Sequence, residues 1–169
     1  MPDLSFLHAP VLYLHIIGVF LFLLAHGVSA GVALRIRSER DPAAVRTLLD
    51  FSARSIGVMG LGATIWLFSG IFLGFSGNYW STGRYWLWAS LLLALVIVGV
   101  MTPMGRFYLN RVRLALGIDP RGPANQPLAA DVDRVALDAA IKSGRPELLA
   151  AIGVGGVAVL AWLMMFKPF

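Results

Sequence analysis

The sequence predicts an all-α protein: a four-helix transmembrane bundle with a short cytoplasmic amphipathic helix before the last span. Three observations carry this reading. The 169 residues are 58% hydrophobic and only 14% charged, where an ordinary globular chain carries about 25% charged residues. The mean hydropathy is +0.76. The apolar residues also gather into four uncharged blocks, residues 11–34, 56–77, 85–105 and 148–166, of 24, 22, 21 and 19 residues. Each exceeds the roughly 18 residues at which a membrane span becomes the default reading. Finally, the charge is segregated. Twelve of the fourteen cations fall between blocks one and two (Arg35, Arg37, Arg40, Arg46, Arg54) or between blocks three and four (Arg106, Arg111, Arg113, Arg121, Arg134, Lys142, Arg145).

That segregation predicts an orientation. Cytoplasmic loops are rich in Lys and Arg, so the loops 35–55 and 106–147 are expected inside and both termini outside. Only Arg84 and Lys167 fall on the other side, beside the aromatic residues Tyr79, Trp80, Tyr85, Trp86 and Trp88. Trp and Tyr prefer the headgroup layer, where an apolar ring meets a wet N–H or O–H. The charge of +5 therefore reads as membrane topology and not as a nucleic-acid surface. The whole chain, 1–169, reads as a single integral membrane domain whose main partner is the lipid bilayer.

The elements follow in order. The first block lacks a basic segment before it and is too long for a signal-peptide core, so it is expected to stay in the membrane as helix one. It should end near Leu34. Asp41-Pro42 reads as an N-cap followed by proline at the first helical position, which starts helix two in the cytoplasm. Helix three should carry Pro103, a residue that kinks helices, and stop near Gly117. The stretch IDPRGPANQP reads as an exposed loop. In DVDRVALDAAIKS, the residues Val132, Val135, Ala136, Ala139 and Ala140 form the expected apolar stripe. This short helix is placed at the inner membrane surface or on the bundle ends. Gly144 breaks the chain, and Pro146 with Glu147 opens the last helix.

Glycine pairs recur at helical spacing: Gly27/Gly31, Gly70/Gly74, and the strip Gly57, Gly60, Gly62. Small residues let helix backbones approach in lipid, so these faces should pack the four helices together, with a homodimer interface or a larger membrane complex as the other use.

The chemistry is concentrated in helix one. The chain has no cysteine and three histidines, His8, His15 and His26, which excludes disulfides and thiolate metal sites. Steps of seven and eleven residues each return to within about 20° of one direction, so the three imidazoles share a face, with axial gaps of about 10 and 16 Å. No Asp, Glu, Lys or Arg lies within the blocks. That argues against a proton relay, which needs a chain of ionisable groups. Neutral imidazole binds metals, so His15 and His26 are the candidate haem ligands. With Met165, they are also the candidate metal ligands for copper(I). Met164 and Met165 lie near the depth of His15, and Met59 and Met101 near that of His26. The plainer alternative makes each imidazole a hydrogen-bonding link to Ser29, Thr64, Ser69 or Ser90 on a neighbouring helix.

The stretch YLHIIGVFLFLLAHG and the later WLWASLLLALVIVGV, with its basic extension, resemble the first and third helices of a bacterial membrane superfamily. It contains the copper-resistance protein D domain and the membrane-bound protoporphyrinogen oxidase. Over nearly its full length, through RPELLAAIGVGGVAVLAWLMMFKP, the chain resembles predicted integral membrane proteins of unknown function in that neighbourhood. The resemblance implies a bacterial inner-membrane location and, at His15, the first-helix histidine implicated in haem binding. Where the oxidases need a third-helix lysine, this chain has Ser90, which counts against porphyrinogen oxidation. The copper relatives bind metal outside the bundle, and this chain has no Met- or His-rich loop.

The functional expectation is a haem b-binding redox or accessory protein. The alternatives are a structural or assembly subunit of a membrane complex and a copper-handling or transport component. No nucleophile, acid–base pair or nucleotide loop stands out, so nothing requires an enzyme.

Overall fold

A computed structural model describes residues 5–77, 79–80, 84–120, 132–143 and 145–169. Most of the IDPRGPANQP loop, the first residue of DVDRVALDAAIKS and the break expected at Gly144 lie outside these residues. A short 3₁₀ turn, Ser5–Leu7, leads into α1 (His8–Ile36). Then follow α2 (Pro42–Ser76), α3 (Tyr85–Ala115), α4 (Arg134–Ile141) and α5 (Arg145–Phe166). All the described regular structure is helical. Four helical stretches are long and apolar enough to cross a membrane: α1, α2, α3 and the stretch ending in α5. The protein is an all-α, four-helix membrane bundle.

Helix two starts where its cap predicts. The Asp41 carboxylate accepts from the Ala43 and Ala44 N–H groups at 3.2 and 3.3 Å, satisfying two of the donors that a helix start leaves open. From there α2 runs 35 residues, about 52 Å at 1.5 Å per residue, well beyond the roughly 30 Å hydrocarbon core. Its first turns carry Arg46, Asp50 and Arg54, outside the uncharged block 56–77. Helix α1 runs on to Ile36, two residues past the expected end. Helix α3 continues through Pro103 to Ala115, and Gly117 turns the chain with a positive φ of 69°.

The helices associate as two pairs, α1 with α2 and α3 with α5. The first pair is closest at Gly18 and Gly62. A Cβ on Gly18 would lie 2.6 Å from the Trp66 nitrogen, and one on Gly62 would lie 2.5 Å from the Phe22 nitrogen. Backbone meets backbone there, an approach only glycine permits. Three side-chain links cross the same seam: His8 to Ser76, His15 to Ser69, and Ser29 to Ser52 at 2.9 Å.

The two pairs are joined chiefly at the arginine-rich end. Val32 and Ile36 of α1, Val45 and Leu49 of α2, Tyr108, Val112 and Ala115 of α3, and Leu137, Ala140 and Ile141 of α4 form one buried cluster there. Its position has a physical cause. Water drives apolar burial, and this end carries the charged stretches that flank the apolar blocks. Within the span the helices face hydrocarbon, and large residues such as Phe20, Leu92 and Val154 stay exposed to it. The Arg37–Glu147 ion pair ties α1 to the first turn of α5. A second, Arg40–Asp138 at 3.7 Å, reaches α4.

Helix α4 docks on the bundle by a face that overlaps the expected stripe only in part: Ala140 is in the buried cluster and Val132, just before the helix, packs against it. Leu137, Ala140 and Ile141 are buried, whereas Val135 is 83% exposed and Ala136 and Ala139 are also exposed. With alanines around most of an eight-residue helix, the two large apolar residues, Leu137 and Ile141, decide the docking face. The glycine faces also divide. Gly62, Gly70 and Gly74 pack within the chain, but Gly27, Gly31, Gly57 and Gly60 have nothing within 4 Å of a Cβ position.

Candidate functional site

Away from the joined end, the two helix pairs stand apart and enclose a cleft of about 470 Å³. Its walls are apolar, built from residues such as Leu12, Phe22, Trp66, Leu87 and Leu160, and His8, His15, Ser90 and Lys167 are among its few polar groups. Ligand pockets of about 300–1,000 Å³ with this character typically hold drug-sized molecules.

His15 sits on the α1–α2 wall. Its Nδ1 lies 3.1 Å from Ser69 Oγ. The Ser69 hydroxyl donates to the Ile65 carbonyl at 2.5 Å, with the Trp66 carbonyl at 3.2 Å. A serine has one proton to give. Its oxygen therefore accepts from the imidazole, and this network assigns the proton to Nδ1. Nε2 keeps the lone pair. This is how metal-binding histidines are oriented: the second nitrogen is held by a protein acceptor, and that bond fixes the tautomer. Gly70 makes room for the ring, since a Cβ there would lie 2.9 Å from His15 Cε1.

No known protein-family model, curated protein or solved structure matches the chain.

His8 bonds Ser76 Oγ through Nδ1 at 3.2 Å and lines the same cleft. His26 does not. Its ring stacks on Phe22 with centroids 5.7 Å apart and planes 3° from parallel, and its Nε2 is buried without a hydrogen-bond partner among the described residues. At that depth α5 has come against α1: a Cβ on Gly153 would lie 2.5 Å from His26 Nε2 and 3.1 Å from Met101 Cε. The shared face of helix one thus opens on two surroundings, the cleft for His8 and His15 and a closed contact for His26.

Of the four serine and threonine links expected, Ser69 is used. Ser29 bonds Ser52 instead, Thr64 donates to the Gly60 carbonyl, and Ser90 donates to the Trp86 carbonyl. Ser76 was not foreseen as a partner, although its place at the end of α2 is opposite the start of α1. Met165 is 77% exposed and is not among the cleft residues, while its neighbour Met164 lines the cleft with His15. Ser90, aligned by resemblance with the oxidase lysine, lies on the cleft wall and is 1% exposed. Among the described residues, no three His, Asp or Glu side chains gather into a metal site.

Proposed function

We propose that this protein binds haem b in the cleft between its helix pairs, where His15 Nε2 would hold the iron, and serves as a redox or accessory protein of a bacterial cytoplasmic membrane. The observation that carries the reading is the imidazole held through Nδ1 by Ser69 on the wall of an apolar cavity of about 470 Å³. Haem needs an apolar enclosure and a nitrogen or sulfur ligand. Met164 lines the same cavity and is available as a second, thioether ligand. The resemblance of the first helix at His15 supports the same assignment. The arginine-rich end faces the cytoplasm and both termini lie outside, by the distribution of cations.

The test is the visible spectrum of the purified chain titrated with haem in detergent. A Soret band that saturates at one haem per chain, is lost in His15→Ala and is kept in His26→Ala is the expected result. A folded protein that takes up no haem overturns the reading.

A second reading draws on the open glycines. Gly27 and Gly31 of α1 and Gly57 and Gly60 of α2 present bare backbone, which suits a structural or assembly subunit docked on another membrane helix. Copurification with a fixed partner, lost on replacing these glycines by leucine, would favour it.

A further inference from the structure

We infer that Arg84 and Lys167 form a carboxylate-binding mouth to the cleft, so that its ligand is an amphipathic carboxylate seated with its apolar body between the helices and its carboxylate at the end bearing the chain termini. The inference deepens the haem reading, on which it rests for the identity of the carboxylates, the haem propionates.

The charges are the first observation. Of fourteen cations, these are the two that lie away from the arginine-rich end, and they converge on one spot. The Arg84 guanidinium lies 5.1 Å from the centre of the Tyr79 ring, and Lys167 Nζ lies 5.2 Å from the same ring and 5.4 Å from that of Trp86. Neither cation has a carboxylate partner among the described residues, and the one side-chain carboxylate that the sequence places toward this end, Asp3, lies outside them.

The second observation is the place where they meet. Lys167 lines the cleft itself. With Arg84, Tyr79 and Trp86 it also lines an adjoining pocket of about 300 Å³. The backbone holds the lysine there. Lys167 has a left-handed φ of 46°, its N–H bonds the Leu163 carbonyl to close α5, and the Phe169 carbonyl accepts from the Trp86 N–H at 3.2 Å. Left-handed backbone is uncommon for a residue with a side chain, and here it turns the chain at the cleft's edge. Arg84 gives one N–H to the Gly77 carbonyl at 3.4 Å; its remaining donors and the Lys167 ammonium, held over aromatic rings at the rim of the apolar cavity, face an incoming anion.

The test uses the full chain in a neutral detergent at pH 8 with two pairs of probes: haem and its dimethyl ester, and the fluorescent fatty acid cis-parinaric acid and its methyl ester. The wild type should bind each acid more tightly than its ester. Neutralising either cation (Arg84→Gln, Lys167→Gln) should weaken acid binding by roughly fivefold, about what one partly exposed ion pair contributes, and leave the esters unchanged. Unchanged ester binding also reports that the variant is folded. Should a variant fail to fold, salt answers on the wild type: acid binding should weaken from 50 to 500 mM salt and ester binding should not. Equal binding of acids and esters by the wild type overturns the mouth, even if a Soret band shows that haem binds. A preference for parinaric acid over its ester, lost on neutralising Lys167, sustains it even if neither haem form binds and the haem reading fails.

Discussion

Gly70 of α2 faces the His15 imidazole of α1 so closely that a Cβ there would lie 2.9 Å from Cε1 and 3.3 Å from Nδ1. The glycine is the space into which the ring fits. Gly70→Ala should push the ring off its bond to Ser69 and lower haem affinity by about 10- to 100-fold, the usual cost of disturbing a group that orients a metal ligand. Gly27→Ala, with nothing within 4 Å, should leave haem affinity unchanged. Soret titrations of the two variants side by side decide it, and equal affinities would show that the ring does not depend on this space.

Ser69→Ala tests the tautomer. Without the hydroxyl oxygen, His15 Nδ1–H loses the acceptor at 3.1 Å, and the ring can rotate or move its proton to Nε2. Haem affinity should fall about tenfold while helix content by circular dichroism stays constant. An affinity equal to wild type would mean that another acceptor holds the ring.

Much of this was legible in advance, for a definite reason. Hydropathy reports the solvent around a segment, so the four spans and their alternation followed from the composition of the blocks. The Asp41 cap rests on local chemistry and is present; a histidine-to-serine link between helices was one of two readings, and the pairing of His15 with Ser69 came only with the fold. What could not be read is which apolar face of a span meets another helix, because lipid and protein look alike to a leucine. The cleft, the separate surroundings of His26 and the meeting of Arg84 with Lys167 over Tyr79 all depend on how the two helix pairs splay. The docking face of α4 was legible only in part because alanine carries too little area to mark a side.

His26 offers a contrast with His15. Its Nε2 is buried without a partner among the described residues, 2.5 Å from where a Cβ on Gly153 would lie. Gly153→Ala should therefore cost about 1–3 kcal/mol of stability through overpacking, whereas Gly155→Ala, which meets nothing within 4 Å, should be neutral. His26→Leu should be tolerated, since it removes an unsatisfied polar atom. Thermal unfolding in detergent ranks the three, and a strongly destabilised His26→Leu would reveal a partner for the ring.

The joined end should dominate stability. Ile36 is fully buried in the cluster with Val45, Tyr108 and Val112, so Ile36→Ala should cost about 2–5 kcal/mol. Phe20→Ala removes a larger side chain, but one that faces lipid, and should cost much less. If the two variants unfold at similar temperatures, the water-driven core is not what holds the helix pairs together.

Tyr108 lies in the same cluster, 1% exposed, with its hydroxyl buried and without a hydrogen-bond partner among the described residues. A buried hydroxyl with no partner carries a desolvation cost of about 1–3 kcal/mol that the ring's apolar burial must offset. Tyr108→Phe keeps the ring and removes that cost, so it should leave the protein as stable as wild type or more so. Tyr108→Ala should destabilise it by about 3–5 kcal/mol, as for other large aromatic deletions. Melting temperatures of the pair test both halves. A Tyr108→Phe variant that melts well below wild type would mean that the hydroxyl has an acceptor.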